Sequence, residues 1–101
     1  MKDTSQNPVR AYIEIYTTLI CPYCVRAKAL LKLKGAEYFE YNIGFDAEAR
    51  GRMLERAYGQ RSVPQIFIND QHIGGFDDMN ALNQRGELDA LLAQSPMESK
   101  T

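Results

Sequence analysis

The sequence predicts a single α/β domain built on a four-stranded mixed sheet with helices on both faces. The chain has 101 residues, which is enough for one hydrophobic core and too few for two. Short β-branched or aromatic runs alternate with longer helical segments in the order β-α-β-α-β-β-α. A strand–helix–strand start requires a right-handed crossover and a parallel pair, and the closing hairpin adds an antiparallel pair.

Each predicted element is marked by its residue types and its end signals. Strands are β-branched and aromatic, as in YIEIYT and QIFIN, and the last two are joined by a tight turn at Asn69-Asp70. The first helix begins at Pro22, whose missing N–H costs nothing in a first turn. Asp46 caps the second helix, and Asp77 or Asp78 caps the third. The predicted strands cover residues 12–17, 37–43, 65–69 and 71–74. The helices cover 22–34, 47–58 and, from residue 78 or 79, the segment up to about 85, with a further turn over 87–93.

We expect the domain to span residues 9–93, with flexible tails at 1–8 and 94–101.

The composition of the chain argues against several classes of protein. A net charge of −1 argues against a nucleic-acid binder, because neutralising phosphates requires a basic face. No segment approaches the roughly 20 apolar residues that span a bilayer, and the first ten residues contain no secretory signal. We therefore expect a cytoplasmic protein. In the reducing cytoplasm, a cysteine pair more often takes part in chemistry than forms a structural disulfide.

The two cysteines, Cys21 and Cys24, stand between the first strand and the first helix. Three residues make about one helical turn, so the two sulfur atoms can approach bonding distance without backbone movement. Cys21 should be exposed at the helix start, where the dipole and free N–H groups stabilise negative charge and make its sulfur a good leaving group. Cys24 shares a helical stripe with Ala27 and Leu31 and should be covered. The pair predicts a nucleophile with a second thiol behind it.

A metal site is the alternative interpretation of this pair, since C-x-x-C is also half of a zinc site. Zinc requires about four ligands, and the remaining candidates are His72 and carboxylates. His72 falls in the predicted hairpin without ligand-like spacing. We expect it to be a strand-face residue and expect no metal.

Three motifs occur in order along the chain: CPYC at residues 21–24, SVPQIFI at 62–68 and GGFDD at 74–78. In this order and at these separations they resemble a dithiol glutaredoxin of the thioredoxin superfamily, most closely the small bacterial glutaredoxins of the third type. The resemblance covers residues 9–92. It implies a thioredoxin-like fold and an enzyme that reduces protein disulfides and protein–glutathione mixed disulfides, and we expect this enzyme to be a monomer. Glutathione would be its co-substrate, with no tightly bound cofactor.

The resemblance also implies a glutathione groove beside Cys21. Val63-Pro64 should be a cis peptide whose Val63 backbone pairs with glutathione as an added strand, and Gly74-Gly75 should let the backbone approach the ligand. The next helix start should bind the γ-glutamyl end. A strand-start proline, a plain turn and a helix cap are the plainer alternatives for these features. The implied groove residues are Tyr23, Arg61, Val63, Pro64, Gly75, Asp77 and Asp78.

One position departs from the family pattern. Glutaredoxins commonly carry a lysine three residues before the first cysteine, where it supports the thiolate and the glycine carboxylate of glutathione. Here that position is Thr18, followed by Leu19 and Ile20. The carboxylate then needs another cation, for which Arg61 and Arg56 are candidates. Leu19 and Ile20 form either an apolar rim for docking a protein substrate or part of the interior.

Three other functions share parts of this pattern. A glutaredoxin-like protein reduced by thioredoxin reductase would not need the glycine pair and double aspartate. A module holding an iron–sulfur cluster between two chains, through Cys21 and glutathione, usually has one cysteine followed by glycine, whereas Pro22 and a second cysteine stand here. An intact CPYC argues against a catalytically silent interaction domain.

Overall fold

Four strands form one mixed sheet in the computed structural model, which describes residues 8–99. They are β1 (Ile13–Thr17), β2 (Phe39–Asn42), β3 (Gln65–Ile68) and β4 (Gln71–Gly74). Their order across the sheet is β2-β1-β3-β4. β1 and β2 are parallel, whereas β3 is antiparallel to both β1 and β4. The crossover and the hairpin predicted from the sequence are therefore confirmed.

Five helices lie within the described residues. They are α1 (Pro22–Leu33), α2 (Ala47–Arg56), α3 (Phe76–Gln84), α4 (Leu88–Ala93) and α5 (Pro96–Ser99). None of them has the length and the apolar character needed to cross a bilayer. The helix α5 falls within the predicted C-terminal tail, residues 94–101. Residues 1–7, 100 and 101 of the two predicted tails lie outside the described part of the chain.

The start of α3 also differs from the prediction. Gly75 is the N-cap, so the helix begins at Phe76 and both acidic residues lie in its first turn. The carboxylate of Asp78 reaches back and accepts a hydrogen bond from the Gly75 N–H at 2.9 Å. Asp78 therefore acts from the third helical position, as the acidic member of a capping box does, and not from the cap itself.

The sheet separates two apolar clusters, because successive strand residues point to opposite faces. Ile13 and Ile15 of β1 pack on one face with residues from α1, α3 and α4. Tyr16 and Phe67 pack on the other face with residues of α2 such as Met53. Both faces are thus covered by helices, as predicted.

Candidate active site

The sheet topology brings the three sequence motifs to one end of the molecule. The cysteine motif follows the carboxyl end of β1. Because β3 runs antiparallel to β1, its first residue, Gln65, lies opposite Tyr16, so the preceding Val63-Pro64 peptide reaches the same end. The last residue of β4, Gly74, pairs with Ile66, which places the start of α3 beside it. Residues more than 50 positions apart in the sequence therefore meet around the start of α1.

The two cysteines occupy different environments at the start of α1. Cys21 is the N-cap residue and is partly exposed, and its Sγ accepts a hydrogen bond from the Cys24 N–H at 3.2 Å. The Cys21 thiol also lies 3.7 Å from the carbonyl oxygen of Val63, to which it donates. Cys24 is buried, with 1% of its surface exposed. The prediction of one presented thiol with the other held behind it is confirmed, and both cysteines are free thiols.

Burial raises the pKa of Cys24 to about 12, with a further contribution from its hydrogen bond to Cys21. Burial acts in this direction because it penalises the charged form of a thiol. Cys24 is therefore protonated at neutral pH, whereas Cys21 has a backbone N–H directed at its sulfur. The geometry assigns nucleophilic chemistry to Cys21.

An open cleft of about 290 Å³ adjoins the cysteine pair. The Val63-Pro64 peptide on its wall is cis, as the resemblance implied. Six of the seven predicted groove residues line the cleft. Gln60, Ser62 and Phe76 also line it and were missed, although Ser62 and Phe76 lie within two of the motifs and Gln60 is two residues before the second motif. The complete lining consists of Tyr23, Gln60, Ser62, Val63, Pro64, Gly75, Phe76, Asp77 and Asp78.

Arg56 does not face this cleft, so its candidacy as the cation for glutathione is wrong. Its guanidinium forms ion pairs with Glu14 at 2.8 Å and Asp70 at 2.9 Å, and donates to the Tyr16 hydroxyl at 2.9 Å. It also lies 4.0 Å above the ring of Phe67. Burial alone would lower the pKa of Arg56, but the bonds to Glu14 and Tyr16 outweigh it and raise that pKa. Two carboxylates thus neutralise Arg56.

The other predicted cation, Arg61, is exposed and is not among the cleft-lining residues. Its neighbours Gln60 and Ser62 both line the cleft, so the Arg61 backbone runs along its margin. A long flexible side chain anchored there can turn toward a carboxylate in the cleft.

The segment before the nucleophile is apolar and solvent-facing. Leu19 is 73% exposed and Ile20 is 88% exposed, so the alternative that they pack in the interior is wrong. Val25 and Phe45 are also largely exposed. Phe45 follows β2, whose parallel pairing with β1 puts its carboxyl end beside that of β1.

His72 is half-buried on β4, and its ring nitrogen Nε2 lies 2.7 Å from Oε1 of Gln65. The prediction of a strand-face histidine is therefore confirmed. Among the described residues, no group of three or more histidine, cysteine or acidic side chains could hold a metal ion.

A mixed sheet with a cysteine pair at a helix start, facing a cis-proline, defines a thiol–disulfide oxidoreductase of the thioredoxin fold. The family model described as Glutaredoxin matches residues 13–73. A Synechocystis sp. protein described as a probable glutaredoxin is 62% identical over 84 residues, covering 83% of this chain and 96% of its own length. Glutaredoxin 3 of Escherichia coli K12 is 55% identical over 82 residues, covering 81% and 98%.

A solved structure gives the same result. The crystal structure of a buckwheat glutaredoxin–glutathione complex matches with a TM-score of 0.73 and 29% identity, covering 81% of this chain and 76% of that one. The chain belongs to the glutaredoxin family, the class of glutathione-dependent thiol–disulfide oxidoreductases that its motifs indicated.

Proposed function

We propose that this chain reduces protein–glutathione mixed disulfides and protein disulfides, with Cys21 as the nucleophile and glutathione as the reductant. The observation that carries the proposal is the position of the Cys21 sulfur. It lies at the start of α1 within 3.7 Å of the Val63 carbonyl, where the cis peptide borders an open cleft. The functional domain spans residues 9–93, which contain every element of the site.

For a glutathionylated protein, the Cys21 thiolate attacks the sulfur of the glutathionyl group. A disulfide forms between Cys21 and glutathione, and the protein leaves as a thiolate that takes up a proton. A second glutathione thiolate then attacks the glutathionyl sulfur, so that oxidised glutathione leaves and Cys21 is restored. The Cys24 N–H, 3.2 Å from Sγ, stabilises the departing thiolate of Cys21.

For a protein disulfide, Cys21 first forms a mixed disulfide with one protein sulfur. Cys24 then attacks the Cys21 sulfur and releases the second protein thiol, leaving a Cys21–Cys24 disulfide that two glutathione molecules reduce. The mixed disulfide removes the Cys21 hydrogen bond and charge, which both help to raise the pKa of Cys24. Both contributions are lost once a substrate has been captured, so the pKa of Cys24 falls from its resting value, while the larger effect of burial remains.

The cleft offers a suitable group for each part of glutathione. The Val63 backbone pairs with the cysteinyl part as an added strand would, and Tyr23 flanks the sulfur. The exposed carboxylate of Asp77, with that of Asp78, holds the γ-glutamyl ammonium, while N–H groups at the start of α3 receive its carboxylate. Arg61, at the cleft margin, reaches the glycine carboxylate. The nearby Gly75 and Pro64 shape the wall.

Protein substrates dock on the apolar rim formed by Leu19, Ile20, Val25 and Phe45. Burying such side chains contributes about 25 cal/mol per Å² of apolar surface. One chain supplies both thiols and the whole cleft lining, so a monomer is sufficient for the proposed chemistry. The dithiol has to be regenerated by glutathione, so the protein works in the cytoplasm. Thiol chemistry of this kind needs no tightly bound cofactor, and the proposed partners include neither nucleic acid nor membrane.

Two reductase systems test the proposal side by side. A glutathionylated peptide is offered to the reduced protein with glutathione, glutathione reductase and NADPH, or with thioredoxin reductase and NADPH. We expect turnover only with the glutathione system. Turnover only with thioredoxin reductase would overturn the proposal, and so would a brown protein after anaerobic purification whose cluster blocks Cys21.

A further inference from the structure

Gln65 is a polar side chain buried at the first position of β3, with 1% of its surface exposed. Its amide nitrogen Nε2 donates to the carbonyl oxygen of Ser62 at 3.0 Å. The hydroxyl of Ser62 and the side-chain oxygen of Gln60 both lie 3.3 Å from the same nitrogen. The buried amide of Gln65 thus forms hydrogen bonds with segment 60–62 from the interior of the protein.

The other end of the Gln65 amide is held by His72. Oε1 of Gln65 lies 2.7 Å from Nε2 of His72. The amide nitrogen of Gln65 donates to Ser62, so its oxygen faces His72, and because an amide oxygen can only accept, the histidine nitrogen is the donor. The His72 ring is in turn held against Phe67, with ring centroids 5.1 Å apart. Both ends of the amide are therefore satisfied, and its orientation is fixed.

Segment 60–64 belongs to no helix or strand, yet it supplies four of the cleft-lining residues. Its Val63 carbonyl faces the Cys21 sulfur. A segment without regular structure needs other bonds to hold one shape, because ordering each residue costs about 1–2 kcal/mol. An apolar residue at position 65 would fill the same volume without requiring hydrogen-bond partners.

We propose that Gln65 is a positioning residue that holds segment 60–64 in the shape that binds the tripeptide. His72 fixes the direction of the amide from β4. The inference rests on the proposed function only for its ligand, since the effect of Gln65 on the segment itself is measurable without glutathione.

The test compares Gln65→Leu with wild type and with Ile66→Val. Leucine fills about the same volume as glutamine and removes both the amide nitrogen, which donates to segment 60–62, and the amide oxygen, which accepts from His72. Ile66→Val is the matched control, because Ile66 is the next buried residue of β3 and packs in the cluster on the opposite face. Its loss of one methylene lowers stability without touching the amide. His72→Phe is a second variant, which keeps a ring beside Phe67 and removes only the bond to Oε1.

Two measurements are made on each protein. Hydrogen exchange of peptides covering residues 59–64 reports on the segment in the absence of ligand. Steady-state kinetics with a glutathionylated peptide separate KM from kcat. We expect Gln65→Leu to accelerate exchange and raise KM by at least about fivefold each, with kcat changed less than about twofold. Fivefold corresponds to about 1 kcal/mol, the typical net value of one hydrogen bond. His72→Phe should also raise the exchange rate and KM, but by smaller factors than Gln65→Leu. Ile66→Val should change neither the exchange rate nor KM.

Unchanged exchange in Gln65→Leu would overturn the inference, as would equal changes in Ile66→Val. Faster exchange with an unchanged KM would also overturn it, because the segment's shape would then not matter for binding. If the wild-type protein fails to turn over the glutathionylated peptide, the proposed function falls, and the exchange comparison alone decides whether Gln65 orders the segment.

Discussion

The substitution Gly74→Ala tests how β4 joins the cleft to α3. Gly74 has a φ of +116°, a region that residues with a Cβ rarely adopt. A methyl group added at Gly74 would overlap Oδ2 of Asp78 and lie 2.9 Å from its Cγ. The Asp78 side chain would have to move away, and its hydrogen bond with the Gly75 N–H would be lost.

Two costs then add in Gly74→Ala. Holding a non-glycine residue in a sparsely populated backbone region costs about 1–3 kcal/mol. Losing a side-chain cap at a helix start costs about 0.5–2 kcal/mol. We therefore expect the free energy of unfolding to fall by roughly 1.5–5 kcal/mol. The displaced Asp78 should also raise KM for the glutathionylated peptide.

Gly51→Ala is the matched control for this substitution. Gly51 is exposed within α2, and an added Cβ would meet nothing within 4 Å. Alanine should therefore stabilise the protein by about 0.5–1 kcal/mol through helix propensity. Urea unfolding followed by circular dichroism gives both values from the transition midpoint and slope. A Gly74→Ala protein within about 0.5 kcal/mol of wild type, or a destabilised Gly51→Ala, would refute the reasoning.

Three further perturbations follow from the site and its surroundings. Iodoacetamide at pH 7 should alkylate Cys21 alone in the native protein, by mass spectrometry, and Cys24 only after denaturation, because burial raises the pKa of Cys24 to about 12. Ile20→Asp should lower kcat/KM several-fold for a protein disulfide but not for a small mixed disulfide of glutathione; equal losses would exclude an apolar docking rim. Burial alone would raise the pKa of Glu40, but hydrogen bonds from Lys28 and Thr17 lower it overall. These contacts therefore stabilise the fold above pH 4.5 and stabilise it less as pH falls through the depressed pKa. In acid titrations of unfolding, Glu40→Gln should remove that pH dependence, worth below about 1 kcal/mol for so exposed a pair.

Local signals and chain topology were enough to predict the strand arrangement of the sheet, the position of the cysteine pair at the start of α1 and the burial of Cys24. A proline at a first helical turn and a strand–helix–strand order fix α1 and its parallel crossover, and helical spacing then predicts that Cys24 is buried. The cis state of Val63-Pro64 came only from family resemblance, because bulk statistics favour trans for such bonds.

The features that the sequence predicted wrongly or did not predict depend on contacts between segments that are distant in the chain. Arg56 has the charge that a carboxylate ligand requires, but its environment is set by Glu14 on β1 and Asp70 in the hairpin turn, 42 and 14 positions away. Gln65 resembles an ordinary strand residue in the sequence, and its contacts with Ser62 and His72 exist only once the hairpin has formed. Residue type indicates what a side chain can do, and only packing determines which partner it meets.

The division of labour between the two thiols is tested most directly by comparing Cys21→Ser with Cys24→Ser in the assay coupled to glutathione reductase. The measured quantity is turnover of a glutathionylated peptide and, separately, of a protein disulfide. Loss of both activities in Cys21→Ser, with Cys24→Ser still deglutathionylating but no longer reducing the protein disulfide, is the expected outcome. Parallel loss of both activities in the two variants, or a Cys21→Ser protein that still turns over the peptide, would contradict it.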